Sequence, residues 1–519
     1  MKTTTLTLLT IVVLVPGPLH AAETWHEIKS DHFILRTNAG ENVGRQTVED
    51  LEKFRFTVGS ITNIDYSSRD LPPLTVYGYR KTRQYEKRQD KPSSAGYFSP
   101  RAHGAVAVMS LEKKRRIDVL GSREIVYHEL THYLLDRYSP SYYPYWYNEG
   151  FAEFLSTMRF ESDKAIIGDP ATARLLILTR TSQWLPMRVL AGAKNRYLSS
   201  APGRKGIADV SFQYAQGWLI THMLNTSEDL HPGIAPYIEQ INAGTNDEEA
   251  AFTAAFGIDY AALDRRLKLY WSDKALPYMV FKLQGVMPAI HVISRTMPAA
   301  EAAIMDSESR LQAGRLDSGK LSRRAAKLFN AALTAGVRPV DMRYYLAAIA
   351  FDAEKYDEAR LHLDALFAAQ PQHAPASELA ALLRAETRKS KDWSDEDFTA
   401  VATLYRQALD ADPTYLPAHY GYLQLHFAAC KPLAGDDIAR SETYLRREHK
   451  QPAAQFLYAR LLMLQHNNEA ALDIIKRQLA WASTEDYAGL FNELLSSVTV
   501  TAPISPSEDA STFPTCSNP

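Results

Sequence analysis

The sequence predicts two folded units in tandem, an α+β domain followed by an all-α array of helical repeats. Three observations carry this. The chain has 519 residues, more than one domain at roughly 100–200 residues each. Strand and helix patterns alternate from Trp25 to about Leu111, and helical periodicity takes over from Ser122 to Tyr270. Beyond Pro298 the chain becomes rich in Ala and Leu, in paired helical stretches that resemble one another.

Composition narrows the function classes. Apolar residues make up 46% and charged ones 23%, so sizeable cores can be buried and wholesale disorder is excluded. With 58 Lys and Arg against 60 Asp and Glu, the net charge of -2 gives no global field for nucleic acid, which is not expected as a partner. Cys430 and Cys516 are the only cysteines, too few for a disulfide framework or a four-thiolate zinc site. Any bound metal must be held by His, Asp and Glu.

The elements follow in chain order. Lys2, the apolar run Leu6 to Val15, the break at Pro16-Gly17-Pro18 and the small Ala21 and Ala22 read as a secretory signal peptide over 1–22. The run is too short for a membrane anchor, and no later stretch is long and apolar enough to span. A periplasmic or secreted protein is expected. His32 to Arg36 and Leu74 to Tyr79 read as strands around a helix over Val48 to Ile61. Tyr97-Phe98 and Gly104 to Met109 add two short strands. The basic runs Arg80 to Lys91 and Lys113 to Arg116 read as solvated loops. Ala191 to Asp209, rich in Gly, Ser and Ala, breaks the helical region. The first domain is placed at 23–285, a Pro-containing linker at 286–298, the repeats at 299–497 and a Pro/Ser/Thr-rich tail at 498–519.

The repeats show a spacing of small and large residues. Leu346-Ala347, Ala359, Leu363 and Pro371 make one unit, Thr399 to Pro413 the second helix of another, and Tyr458-Ala459, Ala471 and Ile475 a third. These resemble degenerate tetratricopeptide (TPR-like) units, whose helix pairs must stack to bury their apolar faces. Such an array implies a protein partner along its surface.

The chemistry is concentrated in Tyr127-His128-Glu129-Leu130-Thr131-His132. On a helix, His128 and His132 lie one turn apart on one face, where two imidazoles can share a metal ion, and Glu129 stands about 100° to the side. Val126, Leu130 and Leu134 form the opposite, packing stripe. A second helix follows in Trp146-Tyr147-Asn148-Glu149-Gly150-Phe151-Ala152-Glu153-Phe154. There Phe151, Phe154, Leu155 and Met158 pack, while Glu149 and Glu153 share the other face. Two His and one carboxylate, with a fourth position open, is the ligand set of catalytic zinc.

His-Glu-Leu-Thr-His followed by Asn-Glu-Gly-Phe-Ala resembles the gluzincin metallopeptidases, the thermolysin and aminopeptidase N superfamily, above all its bacterial peptidase MA-like group. The resemblance implies a thermolysin-like α+β fold for the first domain. It implies zinc on His128, His132 and Glu149, Glu129 as general base, and Glu153 as a carboxylate that orients a ligand histidine. Tyr214, in Phe212 to Trp218, is the candidate donor to the reacting oxygen, with a packed core tyrosine as the other reading; His231 is a lesser candidate. Glu124 reads as a helix-start acid, and the aromatic cluster from Tyr138 to Tyr147 as packing. Leu135 and Tyr138 stand where metzincins need Gly and His. Gly104 to Val108 resembles the substrate-pairing edge strand without its acidic residue, and the amino-terminus anchor of aminopeptidases is missing. The expectation is therefore a zinc-dependent endopeptidase acting on peptide or protein substrates. The alternative is a non-catalytic repeat scaffold with a relic or peptide-binding metal domain.

Overall fold

A computed structural model describes residues 23–66, 71–89, 96–99, 105–112, 121–180, 184–192, 206–245, 247–273, 276–316, 319–388, 393–429, 431–481 and 485–500. The expected leader, the basic run at 113–116, residues 193–205 of the expected break at 191–209, both cysteines and residues 501–519 of the expected tail at 498–519 lie outside the described residues, while 191–192, 206–209 and 498–500 are helical and not irregular.

The first domain opens with β1 (His26–Lys29), β2 (Phe33–Thr37), α1 (Glu41–Thr62), β3 (Leu74–Tyr79), α2 (Thr82–Gln89), β4 (Gly96–Ser99) and β5 (Val106–Ser110). With a later strand, β9 (Ile293–Thr296), they form a six-stranded sheet in the order β4-β5-β3-β2-β1-β9. β2, β3 and β5 are parallel and the remaining pairs antiparallel. Alternation along the central strands splits two cores. Leu74, Val76, Ala107 and Met109 face α1 through Val48, Leu51, Phe54 and Val58. Tyr77, Tyr79, Val106 and Val108 face the other way.

This corrects one expectation. The stretch Gly104 to Val108 is not an edge: its described part enters β5, which is paired on both sides, and among the described residues the edge strands are β4 and β9. The near-continuous apolar run reflects a strand buried on both faces. The basic stretch after Arg80 also forms a helix, α2, with Gln89 buried, in place of a solvated loop.

Next come α3 (Ser122–Tyr138), α4 (Tyr145–Ser156), β6 (Arg159–Glu161), β7 (Lys164–Ile167), α5 (Thr172–Thr179), α6 (Met187–Gly192) and α7 (Gly206–Thr226). α8 (Ile234–Asn242), α9 (Glu248–Phe256) and α10 (Tyr260–Ser272) complete the helical layer, and β8 (Met279–Lys282) joins β6 and β7 in a small second sheet. The Phe54 and Tyr127 rings stack at 4.1 Å and seat α3 on α1. α4 lies along α7, where Gly150 and Gly217 meet: a Cβ at Gly150 would collide with the Gly217 carbonyl and the Thr221 hydroxyl.

The segment 286–298, expected as a linker, carries β9, which pairs with β1 from His26↔Thr296 to Lys29↔Ile293. The repeats therefore leave the sheet without a free hinge. α11 (Ala299–Ala302), α12 (Met305–Gln312), α13 (Lys320–Thr334) and α14 (Pro339–Asp352) cover the second face of the sheet, with Ile304, Met305, Phe329 and Tyr345 against Tyr77 and Tyr79. Buried charges knit this junction. Glu308, fully buried, accepts from Arg36 at 2.9 Å, from Arg338 at 2.7 Å and from the Tyr345 hydroxyl at 2.8 Å.

The array continues through α15 (Tyr356–Ala369), α16 (Ala374–Glu386), α17 (Asp395–Ala411), α18 (Leu416–Ala429), α19 (Gly435–Arg447), α20 (Pro452–Leu464), α21 (Asn468–Trp481) and α22 (Glu485–Val500). Helices pack in consecutive pairs, α14 on α15, α16 on α17 and α20 on α21, as a helical-repeat region does. Each unit read from the sequence falls on such a pair; the buried Ala347 and Ala359 let α14 and α15 approach closely. Among the described residues no helix is long and apolar enough to cross a membrane.

The far end of the array returns to the first domain. Arg137 at the end of α3 meets Glu448 at 2.6 Å, and Lys450 donates to the Leu135 carbonyl at 2.8 Å. Tyr142, between α3 and α4, stacks on Trp481 at 5.2 Å and receives a hydrogen bond from Gln478.

Candidate metal centre

α3 begins after Gly121, whose N–H is accepted by the Glu124 carboxylate at 2.5 Å. Glu124 thus serves the helix start, as expected. Val126, Leu130 and Leu134 bury the inner stripe, so His128 and His132 project on the outer one. α4 returns alongside, its Phe151, Phe154 and Leu155 buried, and presents Glu149 to both imidazoles.

The three expected ligands meet. His128 Nε2 is 3.2 Å from His132 Nε2 and 3.3 Å from Glu149 Oε2, and His132 Nε2 is 3.4 Å from the same oxygen. A tetrahedral ion with bonds of about 2.0–2.1 Å holds its ligand atoms about 3.3–3.4 Å apart, so this triangle fits zinc. Glu149 Oε2 is buried and has no hydrogen-bond partner, although two nitrogens stand beside it. Such an orphaned acceptor between two imidazoles matches a cation's place. Among the described residues this is the one cluster of three or more His, Cys, Asp or Glu able to hold a metal.

The flanking groups hold the ligands. Asn148 Oδ1 lies 3.2 Å from His132 Nδ1. Glu153 Oε1 lies 3.2 Å from His128 Nδ1, at ion-pair distance though out of line for a hydrogen bond. Arg174 of α5 grips both oxygens of Glu153, with Nε to Oε2 at 2.8 Å. It also stands over the Tyr214 ring, 5.2 Å from its centre. Tyr214 itself, half-buried on α7, has its ring centre 6.1 Å from that of His128 and its hydroxyl 3.4 Å from that of Tyr145. His231 sits exposed on a short 3-10 turn.

Electrostatics favour positive charge here. Burial lowers the affinity of His128 for a proton, yet Glu149 and Glu153 outweigh it and push its pKa up to about 10. His132 is raised in the same way by Glu149 against the cost of burial. Burial works to raise the two carboxylates, but the histidines hold Glu149 well below the usual range, and His128 with Arg174 brings Glu153 to about 2. A divalent ion would replace the protons on the imidazoles, which must be neutral to ligate.

Glu129, half-exposed beside the triangle, contributes to the field at His132. Arg174 and Asn148 were not singled out from the sequence. Arg174 lies 21 residues beyond Glu153, across a hairpin, and no periodicity connects them. Asn148 precedes Glu149 in the motif already noted, and that adjacency is the available signal. Of the aromatic cluster, Trp146 and Tyr147 are core, as expected, whereas Tyr142 packs on the repeats.

Compared with family models and with curated proteins, the chain matches none. Among solved structures it is similar to a thermophilic TPR protein of Thermus thermophilus, at 15% identity and a TM-score of 0.28, over 38% of this chain and 99% of that one.

Proposed function

We propose that the protein is an exported zinc-dependent metallopeptidase of the gluzincin type, with a thermolysin-like first domain, and that it cleaves peptide bonds within a chain. The observation that carries the reading is the triangle of His128 Nε2, His132 Nε2 and Glu149 Oε2, with edges of 3.2–3.4 Å, next to the half-exposed Glu129. When bound, zinc would polarise a substrate carbonyl and lower the pKa of water from about 15.7 to near 7.

The protein's own groups do the rest. Glu129 takes the proton of the attacking water on its carboxylate and returns it to the departing amine. Glu153, clamped by Arg174, holds the His128 ring through its Nδ1 side, and Asn148 does so for His132. The Tyr214 hydroxyl donates to the oxygen on which charge develops, worth about 3 kcal/mol by the measure of other oxyanion donors. The free edge of β4 lies on the α3 side of the sheet, with Phe98 packed on Tyr133, and would take an extended substrate as an added strand. The repeats would recruit substrate or a protein partner.

The experiment is metal analysis and peptide hydrolysis of wild type and Glu129→Gln. About one zinc per chain in both, with hydrolysis lost in the variant, is the expected outcome. If the two proteins behave alike on a broad peptide library, the scaffold reading replaces this one.

A further inference from the structure

The repeat region holds a cavity that the metal centre does not use. It lies among α16, α17 and α18, reaches Ala453 of α20, and has a volume of about 550 Å³, well within the roughly 300–1,000 Å³ of ligand sites. Leu382, Trp393, Tyr405, Leu416 and Tyr420 give it apolar and aromatic walls. The rim is open to solvent: Tyr420 is 45% and Leu382 37% exposed.

Among the described residues one charged side chain lines this hollow, Glu378. Among the described residues it has neither a cation nor a hydrogen-bond donor as partner. Its carboxyl is felt instead by the phenols of Tyr344, Tyr405 and Tyr415, and burial pushes its pKa up to about 7. Keeping an unpaired acid in apolar surroundings costs stability, and an apolar residue of similar size would serve the packing better. The aromatic wall also suits a cation: the Arg388 guanidinium already stands 4.6 Å over the Trp393 ring. The hollow is bounded by successive helices and is open at its rim, so an occupant can run on along the array.

We propose that this cavity receives a segment of another polypeptide that presents a large apolar side chain next to a lysine or arginine. The apolar group fills the aromatic hollow and the cation meets Glu378. The site stands apart from the hydrolytic reading and is tested without it, on the full chain in EDTA.

The probe is fluorescein-labelled Gly-Phe-Lys-Leu-Gly-amide, compared with the same peptide carrying norleucine or glutamate in place of lysine, by fluorescence anisotropy. The expected result is saturable binding in which lysine exceeds norleucine by roughly tenfold or more, with glutamate weaker than both. Glu378→Gln, nearly isosteric, should abolish the lysine preference, and Tyr420→Ala at the exposed rim should weaken the lysine and norleucine peptides alike. Absence of saturable binding by all three peptides, or a lysine preference that survives Glu378→Gln, overturns the proposal. Competition by n-butylamine as strong as by the lysine peptide would assign the hollow to small amines and also overturn it.

Discussion

Arg137, five residues beyond the second histidine of α3, and Glu448, between α19 and α20, meet at 2.6 Å although 311 residues separate them. Glu448 is almost fully buried in this pair, so the last repeats are fastened to the helix hairpin that carries the metal ligands. Removing either residue breaks this largely buried ion pair. Arg137→Ala or Glu448→Ala should each lower stability by about 3 kcal/mol, and the double variant by much less than the sum. Thermal unfolding of the four proteins checks this; additive losses would show that the pair is not coupled.

Arg174 should matter to the metal without touching it. Arg174→Met frees the Glu153 carboxylate from its clamp, and Glu153→Gln weakens the hold on His128. Either change should reduce zinc affinity about 10- to 100-fold, as loss of outer-shell partners does. Competition with a zinc chelator measures it. Unchanged affinity in both variants would separate Glu153 from the metal.

Gly150 follows Glu149 and lies where α4 crosses α7. Gly150→Ala places a methyl group against backbone and a buried hydroxyl that cannot retreat, so the crossing must widen. A loss of about 1–3 kcal/mol is expected, with weaker zinc binding because Glu149 rides on the same turn. Denaturant unfolding and zinc titration read the two effects; a variant equal to wild type in both would sink the tight-crossing account.

Glu27 supplies an acid-sensitive contribution. Burial raises its pKa, but Arg36 and Arg295, with Lys29, hold it down to about 2 against an ordinary 4.5. A depressed folded-state value stabilises the fold above the unfolded pKa, and that stability is lost as pH falls from about 4.5 towards 2. Glu27→Gln should therefore melt below wild type at pH 7, with the gap closing by about pH 2–3. A constant gap across this range would show that the shift contributes nothing.

Much of the site was legible because its signals are local. His128 and His132 are one helical turn apart, and the apolar stripe Val126, Leu130, Leu134 states which side of α3 packs. The same logic on α4 aligned Glu149 with Glu153. Elements with strong period, α1, β3 and the repeat helices, fell near their expected places. The errors arose where identity depends on neighbours. Gly104 to Val108 resembled an edge strand, yet its strand, β5, is interior, because pairing partners do not appear in a strand's own pattern. The segment 286–298 looked like a linker, yet β9 completes the sheet, its exposed Ile293 and Arg295 giving no alternating pattern to read.

By itself the sequence determined the residue types, their helical registers and therefore the two faces from which a metal site could be assembled. Only the tertiary structure decided that these faces meet within 3.2–3.4 Å, that Arg174 braces Glu153, and that the repeats run from the sheet back to Arg137 and Tyr142. The reason is one of range. Periodicity reports what a few turns of one element bury, whereas contacts between distant segments are selected by packing across the whole fold.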